Sequence, residues 1–241
     1  MKLKVLGSGS SGNCYLLQGD KETLIIECGI SYKEILKGLD FNLSNVVGCL
    51  VSHEHKDHCK AVNDLIKNGI DVYASEGTFT GIEFKDITKS HRINNIKALE
   101  QFKIGEFIVL PFDTQHDCNE PLGFVITHKD MGTLLFATDT YYIQYTFKGI
   151  NHILVECNYS MGILEDKELP KSLKTRVIKS HFELENVKEF LRATDLTTVK
   201  EIMLIHLSDS NSNATEFKDS IERLTGKPTY IASNGLEINL E

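Results

Sequence analysis

His53-Glu54-His55-Lys56-Asp57-His58 decides the reading of this sequence: three imidazoles and a carboxylate fall within six consecutive residues. The stretch directly follows Val46 to Val51, whose apolar character predicts a buried strand. In an extended segment residues 53, 55 and 57 project to one side, and His58 turns aside as the chain enters the next helix. Such an arrangement can serve two adjacent metal ions, and neutral imidazoles with a carboxylate suit Zn, Fe or Mn. The bland alternative is a solvated His/Asp-rich loop. The strand that feeds the motif and the potential ligands downstream weigh against it.

Those downstream residues share one placement. His116 follows a strand predicted at Phe107 to Phe112, Asp139 follows Thr133 to Thr138, and His206 follows Ile202 to Ile205. Strands that repeatedly end in an imidazole or carboxylate imply a scaffold with its site along one rim. Around them, the pattern predicts strands at Lys2 to Leu6, Cys14 to Gln18, Thr23 to Glu27, Asp71 to Tyr73, Phe124 to His128 and Ile153 to Glu156. It predicts helices at Ser31 to Leu39, Ala61 to Lys67, near Asn186 to Ala193 and around Ala214 to Leu224. Asn158 to Lys179 is polar and reads as an excursion over the surface. There is no internal repeat, low-complexity tract or convincing linker, so residues 1–241 are expected to form one domain.

Composition fits that expectation. The chain has 241 residues, 41% of them hydrophobic and 25% charged, with 4 Pro, which matches a globular protein with a sizeable core. Met-Lys-Leu-Lys-Val-Leu at the start gives way to Gly and Ser without the apolar run of a secretory signal or a membrane span, so a cytoplasmic protein is expected. Six cysteines lie scattered without a CxxC pair, and no disulfides are expected. A formal charge of -8 argues against a broad electropositive surface but leaves room for a local basic patch.

HxHxDH at 53 to 58, followed in order by His116, Asp139 and His206, resembles the metallo-β-lactamase fold superfamily over nearly the whole chain. The resemblance implies an α/β fold, a four-layer αββα sandwich with a dinuclear metal site at one rim. It implies that His53, His55 and His116 hold one divalent ion, that Asp57, His58 and His206 hold the second, and that Asp139 bridges them. Further matches are Gly7 to Asn13, Tyr73 to Thr78, His116-Asp117, Ala137-Thr138-Asp139, Leu173 to Arg176 and His206-Leu207-Ser208 with Asn211. Together these are similar to the YycJ (WalJ) branch, which implies phosphodiester hydrolysis and exonuclease activity. Glu27 departs from the branch's usual aspartate, and Ser180-His181-Phe182-Glu183 departs from its Gly-His-Leu-Ser run.

Two metals so held can share a hydroxide, lower the pKa of the attacking water toward ~7 and polarise the electrophile. The expected activity is therefore that of a dinuclear metal-dependent phosphodiesterase, a nuclease with a nucleic-acid or other phosphodiester substrate. Zn is the leading metal, with Mn and Fe as alternatives. β-Lactam-cleaving relatives generally lack a bridging aspartate, and oxygen-reducing relatives carry an acidic residue in place of the second motif histidine. Asp139 and His55 set this chain apart from both. A small-molecule hydrolase acting on a cyclic nucleotide, thioester or lactone is the second reading, and a binding protein with a structural metal is the third.

Asp57 and His181 are the candidate catalytic residues. By the resemblance His181 touches substrate phosphate or protonates the leaving oxygen; otherwise it caps or packs before the helix near Asn186. Lys171, Lys174, Arg176 and Lys179 lead into it and can steer a phosphate backbone, or can form a solvated face. Ser10 and Ser11, in the Gly7 to Asn13 loop, are candidate anion contacts, although Gly and Ser are equally the residues of a tight strand connection. Asp117 is expected to orient a metal-bound imidazole, and Glu27 to be a turn or surface carboxylate. His91, His128 and His152 have no partner spacing that singles them out.

Overall fold

Two seven-stranded sheets face each other among residues 1–84 and 87–241, which the computed structural model describes. The first contains β1 (Lys2–Gly7), β2 (Cys14–Gln18), β3 (Thr23–Ile26), β4 (Val46–Leu50), β5 (Val72–Ala74) and β6 (Ile93–Asn95) in that spatial order. The second contains β7 (Phe102–Ile104), β8 (Phe107–Asp113), β9 (Leu122–His128), β10 (Gly132–Ala137), β11 (His152–Glu156), β12 (Glu201–Ile205) and β13 (Thr229–Ile231), again in order. The last strand, β14 (Glu237–Asn239), returns to pair antiparallel with β1.

Chain direction within each sheet determines where the site falls. Strands β1 to β3 are antiparallel, and β3 to β6 are parallel. Strands β7 to β10 are antiparallel, and β10 to β13 are parallel. Parallel neighbours need a crossover and therefore end on the same edge. Register makes the edge level: Ile26 pairs with Leu50, Ala137 with Val155, and Glu156 with Ile205. Residues that follow these strands consequently emerge along one rim.

Alternation along the strands divides the apolar residues among three packed regions. Val5, Tyr15, Leu17, Ile26 and Leu50 of the first sheet meet Val109, Phe124, Phe136 and Ile205 of the second in the space between the sheets. The outer face of the first sheet is covered by α1 (Tyr32–Gly38) and α3 (Val62–Lys67), through Ile35, Val62, Leu65 and Ile66 against Ile25, Cys49 and Val72. The outer face of the second is covered by α7 (Leu184–Ala193) and α8 (Ala214–Thr225), through Val187, Leu191, Phe217 and Ile221 against Ile153, Val155 and Leu204. The layers are therefore helix, sheet, sheet and helix, the αββα sandwich expected from the sequence. All six cysteines are free thiols. Among the described residues no helix is long and apolar enough to cross a membrane.

Two local expectations change. Residues 53 to 57 do not form one extended run: α2 (Lys56–Cys59) begins inside the motif, where the His55 carbonyl accepts from the N–H groups of His58 and Cys59 at 2.9 and 3.0 Å. Asp57 and His58 thus leave the first turn of a helix, while His53 and His55 precede it. The polar stretch from Asn158 to Lys179 is likewise largely helical, with α5 (Met161–Glu165) capped by Ser160 and α6 (Lys171–Ser180) starting after Pro170. Proline's fixed φ and missing N–H suit a helix start, which explains the break between the two helices.

Candidate metal centre

Three residues that follow strands adopt the left-handed backbone region usually left to glycine: Glu27 after β3 (φ 62°), Asp139 after β10 (φ 40°) and His206 after β12 (φ 52°). Each costs of order 1–3 kcal/mol and persists only where the surroundings over-determine it. All three side chains are buried and turned toward the same rim. Close backbone packing sets the position of α2: a Cβ on Gly29 would lie 1.7 Å from the Asp57 carbonyl oxygen, so only glycine lets the helix approach.

The seven residues proposed as ligands converge from both sheets. Candidate ligand atoms of His53, His55, His116 and Asp139 lie within 4.8 Å of one another, and so do those of Asp57, His58, Asp139 and His206. Asp139 is common to both sets. Hydrogen bonds behind the rings indicate which nitrogen carries a lone pair. His116 Nδ1 lies 2.7 Å from the Ser180 carbonyl, which can only accept, so Nδ1 donates and the neutral ring's Nε2 lone pair faces His55 Nδ1 at 3.1 Å. His55 Nδ1 also lies 3.1 Å from His53 Nε2. Three converging imidazole nitrogens cannot satisfy one another with the single proton that each neutral ring carries, whereas a shared cation satisfies all three.

The second set is more strongly charged. Burial alone would raise the pKa of Asp139, but the charges of His206 and His58 outweigh it and hold the carboxyl well below its usual range. Burial likewise opposes ionisation of Asp57, and hydrogen bonds from His206 and His58 hold its pKa low. In return, His58 is pushed well above an ordinary imidazole, against the effect of burial, by the charges of Asp139 and Glu27. For His206, burial is outweighed by Asp139, Asp57 and Glu156, and its pKa is pushed up to about 10. Burial lowers the pKa of His53 and His116, which favours neutral donors. The centre therefore combines neutral nitrogen donors with buried carboxylates that demand positive charge, a donor set fitted to divalent metal ions. The fold and these clusters support metal binding.

Two carboxylates behind the ligands exchange the roles expected of them. Glu27 is fully buried; one of its oxygens accepts from the Ser52 N–H at 3.0 Å and the other faces His58 Nδ1 at 3.3 Å. Asp117 is on the outside, with its side chain 43% exposed, and it approaches the ligand-facing Nε2 of His116 at 3.4 Å instead of the rear nitrogen. Glu27, and not Asp117, is thus the carboxylate placed to orient an imidazole. Outer partners of this kind typically contribute 10–100-fold to metal affinity. Glu27→Gln is accordingly expected to weaken metal binding about tenfold or more in a chelator competition, and an unchanged affinity would show that the contact is idle.

Glu156 was not singled out by its sequence, although it too ends a strand. It is fully buried and accepts from the N–H groups of Thr140 and Phe182 at 2.9 and 3.1 Å, and it lies 2.7 Å from His181 Nδ1 and 3.4 Å from His206 Nδ1. One carboxylate so holds two imidazole rings, which stack with centroids 5.6 Å apart. Burial alone would favour neutral His181, but the charge and hydrogen bond of Glu156 raise its pKa. His181 does not cap the following helix. That cap is Glu183, whose side chain accepts from the N–H groups of Glu185 and Asn186.

Above the cluster lies a cavity of about 440 Å³. Ser10, Lys56, Arg176, His181, Ser208 and Asn211 are among its polar lining. Ser11 is exposed but is not part of the lining, and Lys174 turns away to donate to the Glu165 carbonyl at 3.0 Å. The glycine loop uses several of its own donors: Gly9 N–H binds Asn13 Oδ1, Gly12 N–H binds the Gly9 carbonyl, and Asn13 N–H binds the Asp57 carbonyl. Its chief contact with the site is therefore to brace α2, not to cradle an anion through these groups.

Residues 25–207 match the family model of the β-lactamase superfamily domain. The exodeoxyribonuclease YycJ of Bacillus anthracis is 29% identical, with 99% of this chain and 94% of that protein covered. The exodeoxyribonuclease WalJ of Streptococcus pneumoniae is 30% identical, with 88% and 83% covered. Among solved structures, the metallo-β-lactamase fold protein YhfI of Bacillus subtilis superposes with a TM-score of 0.71 over 98% of both chains, at 16% identity. The chain belongs to the β-lactamase superfamily, in its YycJ/WalJ-like branch, and is a metal-dependent hydrolase of that fold.

Proposed function

We propose that this protein is a dinuclear metal-dependent phosphodiesterase that degrades DNA from an end, in the cytoplasm, with residues 1–241 acting as one hydrolase domain. The observation that carries this reading is the pairing of two donor sets that share Asp139 with a cationic helix over the same cavity. Helix α6 contains Lys171, Lys174, Arg176 and Lys179 and no carboxylate, in a chain whose formal charge is -8. Of these only Arg176 lines the cavity, and together with Lys56 it gives the metal-binding floor a cationic border suited to a polyanion whose phosphodiester must reach the floor. Relatives named exodeoxyribonucleases, matched over most of their length, support the same substrate. Unpaired cysteines support a reducing compartment.

His53, His55, His116 and Asp139 are the residues placed to hold one divalent ion, and Asp57, His58, His206 and Asp139 the other, with zinc first and manganese or iron as alternatives. Such ions polarise the phosphoryl oxygen and activate water. Arg176 and Lys56, which line the cavity, attract the phosphate backbone, and Ser10, Ser208 and Asn211 offer hydrogen bonds to it. His181, held by Glu156, is positioned to deliver a proton from Nε2 to the departing oxygen.

The reading is tested by turnover of end-labelled DNA beside bis-p-nitrophenyl phosphate and a thioester panel, with defined Zn or Mn loading. Hydrolysis of DNA from an end is the expected result. Failure on every phosphodiester at full metal occupancy would overturn the reading, and turnover confined to thioesters, lactones or a cyclic nucleotide would assign a small-molecule hydrolase instead. If Arg176 and Lys56 each meet a phosphate, KM for single-stranded DNA should rise roughly sevenfold between 50 and 200 mM salt. A flat salt response would remove α6 from the substrate path.

A further inference from the structure

Both backbone polar groups of His206 are held by side chains from distant parts of the chain. Its N–H donates to Ser8 Oγ at 2.9 Å, across 198 positions, and its carbonyl accepts from Asn158 Nδ2 at 2.9 Å. Glu27, which shares the left-handed backbone, keeps its N–H in the sheet instead, on the Leu50 carbonyl at 2.8 Å. His206 turns left-handed just where β12 ends, so the direction in which its ring leaves the chain depends on what holds that backbone.

Ser8 is itself fixed. Tyr15 Oη donates to Ser8 Oγ at 2.8 Å and lies farther, at 3.4 Å, from Asn13 Oδ1. Both lone pairs of the Ser8 hydroxyl are therefore taken, one by Tyr15 and one by His206. Tyr15 is fully buried between the sheets, with its ring edge-on to Phe136 of β10 at a centroid distance of 5.5 Å. Ser8 is half-buried and, unlike Ser10, does not line the cavity over the candidate metal centre.

The other end of the same loop holds Asp57. Asn13 N–H and Asn13 Nδ2 both donate to the Asp57 carbonyl, at 2.8 and 3.2 Å. Gly9 ties the two ends together: its N–H donates to Asn13 Oδ1 at 2.9 Å, and its carbonyl accepts from Asn13 Nδ2 at 3.1 Å. Residues 8 to 13 thus span from Asp57, after the first sheet's β4, to His206, after the second sheet's β12. The side chains of these two residues face each other, with Asp57 Oδ2 at 3.3 Å from His206 Nε2. The first donor set is held by other means: His53 Nδ1 meets Ser52 Oγ at 2.9 Å, and His116 Nδ1 meets the Ser180 carbonyl at 2.7 Å.

We infer that Ser8 is a positioning residue that aims His206 at the second donor set, and that the loop from Ser8 to Asn13 sets the distance between Asp57 and His206. The inference rests on the two-ion reading above and identifies what closes one of its two sites. Ser8 acts through the backbone from which one imidazole leaves, without meeting substrate. Ligands drawn from two sheets close on an ion only if their supports hold them within about half an ångström. A left-handed residue deprived of its partner is free to relax, so losing the Ser8 hydroxyl weakens one ion and spares the other.

The test withdraws metal from the zinc-loaded full chain with a graded chelator and resolves the two ions as separate steps. Ser8→Ala should weaken one step about tenfold or more and leave the other within about twofold. Ser8→Thr, which keeps the hydroxyl, should stay within about threefold of the wild type at both steps. Tyr15→Phe should weaken the same step as Ser8→Ala. The Ser8→Ala/Tyr15→Phe pair should be no weaker there than Ser8→Ala alone, because Tyr15 acts through Ser8. A thermal melt of each variant shows that it is folded at the titration temperature. If Ser8→Ala is not, Tyr15→Phe decides, and an unaltered pair of steps in it overturns the inference. Two unchanged steps in folded Ser8→Ala overturn the inference alone, as does equal weakening of both, which makes Ser8 a general packing contact. Ser8→Thr as weak as Ser8→Ala overturns the role of the hydroxyl. A wild type that holds fewer than two ions overturns the two-ion reading, and the inference with it.

Discussion

Asp139→Asn is expected to lower turnover by about 10³-fold or more and to leave the protein short of metal, with its fold retained. Asp139 contributes to both donor sets and is buried among their imidazoles, and among the described residues no other is common to both sets. Removing a single group that stabilises developing charge already costs ~10²–10³ in rate. Loss of the carboxylate also removes the charge that holds His58 and His206 in register with it. Asparagine is the informative replacement because it matches aspartate in shape and tolerates the left-handed backbone that Asp139 adopts. Metal analysis, steady-state rates and a thermal melt on one preparation check the result. Wild-type metal content together with wild-type turnover would show that Asp139 is not the shared ligand.

His181→Ala is expected to reduce kcat on DNA by ~10²–10⁴, the range for losing a positioned proton donor, with metal content preserved. The reasoning depends on what the leaving oxygen needs. A sugar alkoxide must receive a proton as it departs, whereas p-nitrophenolate is stable without one. The variant should therefore be far less impaired on bis-p-nitrophenyl phosphate than on DNA. Equal impairment on both substrates would make His181 a packing residue beside His206. Loss of metal from the variant would make it a ligand instead, an arrangement for which Asp139, Glu156, His181 and His206 have the spacing.

Much of this architecture is legible in the sequence because buried strands carry dense apolar runs and helices carry periodic ones. The apolar runs from Val46, Phe107 and Ile202 form the strands Val46–Leu50, Phe107–Asp113 and Glu201–Ile205, and each leads to a candidate ligand. The edge strands Ile93–Asn95, Phe102–Ile104, Thr229–Ile231 and Glu237–Asn239 have three residues each, too few to show a period in the sequence. Within the site, residue type and order identify the groups that converge, but burial decides the roles behind them. Glu27 and Asp117 are both carboxylates next to strand ends, and only the packing around each reveals which of them lies behind an imidazole. Glu156 carries a signal, since β11 ends in a charged residue as β10 and β12 lead into Asp139 and His206, but a lone glutamate without a neighbouring histidine has nothing in the sequence to show that it holds two imidazoles.

The division of the centre between the two sheets has a consequence for how the protein is made. His53, His55, Asp57 and His58 leave the ribosome well before His206, which meets Asp57 across 149 positions. At ~5–20 residues per second, the growing chain spends on the order of ten to thirty seconds with only part of its ligands synthesised. During translation the motif is an incomplete chelator, and a message cut short before residue 206 yields a protein that cannot close the second donor set. If these residues are the ligands, hydrolytic power therefore arrives only after residue 206 has been made.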